Sequence, residues 1–286
     1  MRVITYKSQC QCEVIYILKN ILGFSASFIT KLKHNNSILL NDNVVSVRGK
    51  CDFNDTLKII VPHVDDGSVL SAEGDIDIIY EDDDIICFNK ASGTPTHPSN
   101  GHHYDTLANY ALNYLRKKDD EFHAVTRLDR YTSGIVLVAK NLYSASIMCT
   151  KEFSQLIDKI YYGVCKGYFE SDTGVVEAPI GRCEDSIIKR CIKDDGKYAK
   201  TEFKVLDKLP SGNSLVEFKL YTGRTHQIRV HMKHISHPLK DDFLYDDNCD
   251  EDKAFRLHCG KICFKHPYTK EIIEIKCDIP EYFYEK

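Results

Sequence analysis

Arg127, Asp129 and Arg130 fall within four consecutive residues of the segment TRLDRYTSG (126–134), directly ahead of the apolar run IVLVAKN. A carboxylate beside a guanidinium stays ionised, because the opposite charge favours its charged form. An ionised carboxylate can act as a nucleophile or as a base. A plain surface ion pair would contribute at most about 1 kcal/mol and would not need a place at the mouth of a strand. A second cluster, Arg224, His226, Gln227, Arg229 and His231, follows the Thr222–Gly223 turn. Read as an extended chain, alternation places Arg224, His226 and Ile228 on one side and Gln227 and Arg229 on the other. Such a stretch could also be a solvated basic strand edge or a phosphate-binding turn. For metal, Cys10 and Cys12 form a lone C-x-C, and His258, Cys259 and Cys263 lie close together. Neither group has the paired second ligand set of a structural zinc site, so no metal is expected.

The elements that must carry these residues divide the 286-residue chain into a small front unit and a larger remainder. Residues 1–62 read as an appended module. CEVIYILKNILGF has helical apolar spacing, and SASFITKLKHNN follows, with Ser25 or Ser27 placed to cap a second helix. SILLNDNVVSVRGKCDFNDTLKIIVP then alternates like short strands around a turn at Asn41–Asp42–Asn43. The polar, aperiodic stretch 63–75 reads as a linker. From 76 to 286 the runs IDIIYEDDDIICFNK, SGIVLVAKN, KIYYGVCKGYF, KTEFKVLDK and SLVEFKLYTG carry the β-branched and aromatic enrichment of strands, with TLANYALNYLRKK helical among them. Strands outnumber helices without alternating with them, which predicts an α+β fold with a mixed or antiparallel sheet.

Composition narrows the function. Hydrophobic content of 43% and charged content of 28% describe an ordinary globular chain. A net charge of −4 argues against coating nucleic acid by bulk positive charge, though not against a local basic groove. No apolar run reaches the length of a membrane helix, and the N-terminus lacks a signal-peptide core, so a cytoplasmic protein without membrane contact is expected. The twelve cysteines are scattered through apolar runs and read as buried reduced thiols.

RLDRYTSG, KIYYGVCKG, TGRTHQIRVHM…HP…D and LH…FKHP occur here in the order and spacing of the RluA-type RNA pseudouridine synthases, which this chain resembles from about residue 76 to 280. SASFITKLKHNNSILLND resembles the S-four-like RNA-binding module often fused in front of such enzymes. The resemblance implies a pseudouridine synthase fold, a mixed and largely antiparallel sheet with flanking helices around a central cleft, behind a small α/β RNA-binding module. It implies a cofactor-independent, monomeric isomerase acting on uridines in structured RNA, with ribosomal RNA as the expected substrate. Transfer RNA is the alternative. It implies Asp129 as the catalytic aspartate, Arg224 as its partner and Tyr161 as the active-site tyrosine. Arg127 would fill the space left by the flipped nucleotide, and Arg130 would belong to the same wall. Contacts to RNA are further expected from His226, Gln227 and Arg229, and from Lys31, Lys33 and Arg48 on the module. The chain departs from the family pattern at Thr126, usually His, and at Lys90–Ala91–Ser92–Gly93, which lacks the usual proline. Ser236–His237–Pro238 and Asp241–Asp242 stand where Gly-His-Pro and Gly-Asp are usual. These departures put substrate choice in question rather than chemistry. Two rival functions share the residues: a non-catalytic RNA-binding assembly factor, which has no need of Asp129, and a hydrolase that releases the free base.

Overall fold

The structure, a computed structural model, describes residues 2–63, 67–184, 186–247, 249 and 255–284. Its main body is a ten-stranded sheet in the order Thr173–Glu177, Lys200–Lys208, Asn213–Leu220, Asp158–Lys166, Leu257–Lys265, Ser133–Ala139, Ile85–Lys90, Ile78–Glu81, with Ile272–Lys276 and His123–Ala124 paired to its middle. The pairings are antiparallel except one, where Ser133–Ala139 runs parallel to Leu257–Lys265 through Ser133↔His258 and Gly134↔Cys259. The expected α+β fold with a mixed, largely antiparallel sheet is what forms.

Ser133–Ala139 is buried at every position. Ile135, Leu137 and Ala139 face one apolar cluster, and Val136 and Val138 face a second with Leu107, Ala111 and Leu115 of the helix Leu107–Leu115. Burial on both faces explains an apolar run without alternation. The helix starts at Thr106, whose hydroxyl accepts the Asn109 N–H in a capping box, and its apolar face closes over the sheet. At the mouth of the strand, Gly134 has φ +103°, and a Cβ there would lie 2.3 Å from the Cys259 carbonyl oxygen. Only glycine permits that approach.

One element differs in kind from its sequence reading. Gln227–His234 is an α-helix, not an extended segment. The period that fits is helical: Ile228 and Met232, one turn apart, are both buried in the main cluster. His226 precedes the helix in the left-handed region, φ 58°. That reversal ends the alternation expected across Arg224–Arg229.

The front unit is a four-stranded antiparallel sheet in the order Val3–Lys7, Thr56–Ile60, Ile38–Leu40, Asn43–Val44. Asn41 and Asp42, at φ 48° and 63°, make the two-residue hairpin turn, which requires positive φ at both positions. Ser25 caps the helix Ala26–His34 by accepting the Phe28 N–H. The expected first helix is one α-turn, Val14–Tyr16, that widens into a π-turn over Ile17–Ile21.

This unit shares its core with the larger body. Leu142 and Tyr143 are buried in the same cluster as Val14, Leu18, Phe28 and Leu32, with ring centroids of Phe24 and Tyr143 5.7 Å apart. Arg2 pairs with buried Asp84 at 2.9 Å and lies 4.0 Å over the Tyr268 ring. Of the expected linker, residues 64–66 lie outside the described residues. Its later part is strapped along the helix Leu107–Leu115, where the Asn109 amide donates to the Leu70 carbonyl at 2.6 Å and the Ala72 N–H donates to the Asn109 carbonyl at 3.1 Å. Deleting residues 1–62 would uncover Leu142 and Tyr143 and take from the Asp84 carboxylate its Arg2 partner, leaving it the Asn141 and Ser144 side-chain donors. Each large apolar side chain returned to water costs about 1.5–3 kcal/mol. The truncated protein is therefore expected to unfold at least about 4 °C below the parent in a thermal scan, and an unchanged midpoint would show that the interface contributes no stability. No helix among the described residues is long and apolar enough to cross a membrane.

Candidate active site

The loop bearing Asp129 is fastened to the strand Ile85–Lys90 and the turn after it. The Thr96 hydroxyl donates to the Leu128 carbonyl at 3.0 Å, the Gly93 N–H to the Arg130 carbonyl at 3.0 Å, and the Ser92 hydroxyl to the Tyr131 carbonyl at 2.8 Å. Thr126, buried just before the loop, accepts the Leu137 N–H at 2.9 Å. Its hydroxyl thus anchors the loop to the central strand at the position where histidine is usual.

Lys90 is the bolt of this assembly and was not singled out by its residue type. It is 1% exposed, and its ammonium donates to the carbonyls of Ala91, Thr94 and Arg130 at 2.9, 2.7 and 2.9 Å. Burial pulls its pKa down to about 7, against the opposing pull of Asp129. Lys90→Met would remove a donor from all three carbonyls, leaving the Arg130 carbonyl only the Gly93 N–H. We expect a loss of about 2–4 kcal/mol in urea unfolding, the cost of several buried acceptors losing a donor. Stability within about 0.5 kcal/mol of the parent would remove this role.

Asp129 sits 34% exposed at the end of that loop, its Oδ2 3.6 Å from Nη1 of Arg229 and 3.8 Å from Nε2 of His226. Oδ1 takes no hydrogen bond among the described residues. Arg229 is buried and held bidentately by Asp242, Nε to Oδ2 and Nη2 to Oδ1, both at 2.7 Å. Burial disfavours its charge, but Asp242 and then Asp129 outweigh that and raise its pKa above the ordinary value. The guanidinium lies 4.3 Å from the Phe255 ring centre and 5.0 Å from that of Tyr245. Tyr131 packs edge-on against Phe243 and Phe255, at 5.6 and 6.1 Å between centroids. A cavity of about 520 Å³ opens beside this aromatic wall and shares Lys90 and Phe255 with it.

Tyr161 lies on the strand Asp158–Lys166, directly at the β-bulge between Ile160 and Tyr161. A bulge re-aims the side chain that follows it. The phenol is buried, and burial, then Cys259 and Asp129, push its pKa well above the ordinary value, so it stays neutral.

Several expectations are corrected. Arg224 is not the partner of Asp129: its Nε donates to the Tyr198 carbonyl at 2.9 Å, and Arg229 holds the place assigned to it. The helix at Gln227 turns Arg229 inward, whereas a strand would have turned Arg224 inward. Gln227 is not presented to RNA but buried, accepting from the Thr222 hydroxyl and the Arg224 N–H and donating to the Lys200 carbonyl and the Thr201 hydroxyl. His226 and Arg229 likewise face Asp129, not the solvent. Arg127, Arg130, Lys31, Lys33 and Arg48 are exposed, Arg130 with its Nε on the Gly93 carbonyl. The site also needs Asp242, whose signal was the acid pair Asp241–Asp242 trailing the basic cluster. Outside this cleft, Asp82, Asp84 and His266 converge as potential ligands, but Arg2 sits on Asp84, and Asp82 accepts the Asp84 and Ile85 N–H groups and the Tyr80 hydroxyl.

A mixed sheet with an aspartate at the mouth of its central strand, approached by a buried arginine under an aromatic wall, is the arrangement to be placed, and comparison places the chain. A family model described as RNA pseudouridylate synthase matches residues 84–234, and the chain belongs to that family. It is 36% identical to the uncharacterized RNA pseudouridine synthase YjbO of Bacillus subtilis, over 91% of this chain and 93% of that protein. It is 35% identical to ribosomal large subunit pseudouridine synthase C of Vibrio cholerae, over 69% of this chain and 64% of that one. Among solved structures, human RNA pseudouridylate synthase domain containing 1 superposes with a TM-score of 0.59 at 26% identity, covering 71% of this chain and 83% of its own.

Proposed function

We propose that this protein isomerises uridines of structured ribosomal RNA to pseudouridine, with Asp129 reacting at the ribose. The observation that carries the reading is the asymmetry of Asp129. The closest approaches of Arg229 and His226 are both to Oδ2, and we assign Oδ1 to the substrate. In the reaction the bond between the base nitrogen and the anomeric carbon breaks, the base rotates, and a ring carbon forms the new bond to the same sugar carbon, losing its hydrogen as a proton while the freed nitrogen gains one. Breaking the first bond leaves positive charge at the sugar. A carboxylate meets that charge by attack at the anomeric carbon or by taking the 2′ proton. Both roles require a carboxylate rather than a carboxylic acid.

A uridine stacked in RNA is out of reach of this oxygen, so the base must leave the stack. Tyr131 and Phe243, the more exposed rings of the aromatic wall, are the faces we assign to it, and exposed Arg127 is the residue we assign to the vacated space. Relatives named ribosomal large subunit pseudouridine synthases support ribosomal RNA as the substrate. The purified protein incubated with large-subunit ribosomal RNA lacking modifications is the test. Pseudouridine at defined positions is the expected product. Free uracil would indicate a hydrolase, absence of any product a binding protein, and conversion of transfer RNA alone the other substrate.

A further inference from the structure

We propose that His226 is a positioning residue for Asp129: a neutral imidazole whose Nε2–H is aimed at Oδ2, in a tautomer fixed by Tyr245. The inference rests on the reading that Asp129 is the reacting carboxylate. Nε2 of His226 lies 3.8 Å from Oδ2 of Asp129, and Nδ1 lies 2.9 Å from the Tyr245 hydroxyl. That hydroxyl oxygen already accepts the Arg190 N–H at 2.9 Å. Tyr245 is only 3% exposed, so its own hydrogen needs an acceptor, and the one at hand among the described residues is Nδ1 of His226. An imidazole that accepts at Nδ1 carries its hydrogen at Nε2. The chain of donors therefore runs from the Arg190 backbone through Tyr245 and His226 to Asp129.

The groups facing the ring keep it uncharged. Burial, then Arg229 from its own helix, lower its pKa, and Arg190 from the strand Arg190–Ile192 adds to this, against Asp129 and Asp242. A neutral donor orients the carboxylate without cancelling its charge, which an imidazolium would do. The separation from Oδ2 is longer than a hydrogen bond, as such contacts often are before substrate tightens them.

The backbone points the same way. His226 holds φ 58° and its side chain does not cap the helix it precedes. A non-glycine residue in that region is uncommon, with Asn, Asp and His the enriched exceptions. Asn would fit the conformation as well as His does, but its amide nitrogen sits where Nδ1 is, close to Tyr245 and short of Asp129. Gln fits the left-handed backbone less well, yet its amide nitrogen reaches the place of Nε2. A structural role therefore favours Asn, and a positioning role favours Gln.

His226→Gln and His226→Asn, compared with the parent, separate the two. Single-turnover rate, RNA affinity and thermal unfolding are measured on each full-length protein. The expected result is a Gln variant within about tenfold of the parent rate and an Asn variant slower by about a hundredfold or more. RNA affinity should change less than about threefold in either, because neither alters an exposed phosphate contact. The Asn variant should be the more stable of the two. An Asn variant as fast as the Gln variant, or a loss confined to RNA affinity, would overturn the proposal. Because the parent runs in the same assay, its failure to form pseudouridine would overturn the underlying function instead, whereas an active parent with slow Gln and Asn variants alike would overturn only the role of His226.

Discussion

Asp129→Asn is expected to lower single-turnover pseudouridine formation by at least about 10⁴-fold while RNA affinity stays within about tenfold. The two approaching donors decide how the amide sits. Arg229 and His226 present N–H groups to the Oδ2 position, so the Asn side-chain oxygen turns toward them and its NH₂ takes the place of Oδ1. That NH₂ has no lone pair free to attack the anomeric carbon and no basicity to take the 2′ proton. The substitution thus removes the reacting atom and leaves the shape. Stability should change by less than about 1 kcal/mol, since Asp129 is 34% exposed and such pairs contribute little. Arg229 keeps its bidentate partner Asp242, so no buried charge is stranded. Retention of RNA affinity is the control that separates lost chemistry from lost binding. Turnover near the parent rate with an intact RNA complex would take Asp129 out of the reaction.

How far the site was legible in the sequence varied with the physics at each residue. Asp129 was visible because charge in front of an apolar strand is unusual, and that strand proved buried on both faces. The hairpin at Asn41–Asp42 and the cap at Ser25 were legible because each depends on a few adjacent residues. Arg229 was misread because a short basic stretch carries no reliable period. The choice between strand and helix was settled by Ile228 and Met232 meeting the core, and one left-handed residue, His226, reversed which side chains face inward. The roles of Lys90 and Asp242 were not legible, although both residues stand in segments the sequence marks. Lys90 acts through carbonyls as far along the chain as Arg130, and Asp242 through an arginine on another element, so both roles exist only once the loops are folded together. The packing of the front unit through Leu142 and Tyr143 is of the same kind.

Asp242→Ala should unfold at a free energy lower by about 3–5 kcal/mol, because it leaves the Arg229 guanidinium buried without its main partner. Arg229 is 3% and Asp242 0% exposed at the side chain, so solvent cannot take over either group. Activity should fall further than stability explains, by at least about a hundredfold at temperatures where the variant is fully folded. Freed from Asp242, the guanidinium is drawn onto Asp129 and occupies the carboxylate that should face the sugar. Arg229→Lys tests the geometry rather than the charge. An ammonium is a point donor and cannot span two oxygens of Asp242 while turning a third N–H toward Asp129. The double substitution Arg229→Met with Asp242→Leu separates folding from function most cleanly. Replacing a buried ion pair by apolar groups of similar volume is often neutral or stabilising, so the double variant should recover most of the stability lost by Asp242→Ala. It should recover little of the turnover, because the guanidinium that approaches Asp129 Oδ2 is gone and only His226 remains to orient the carboxylate. If the double variant regained both stability and turnover, the pair would be a packing device, and the orientation of Asp129 would have to come from His226 alone.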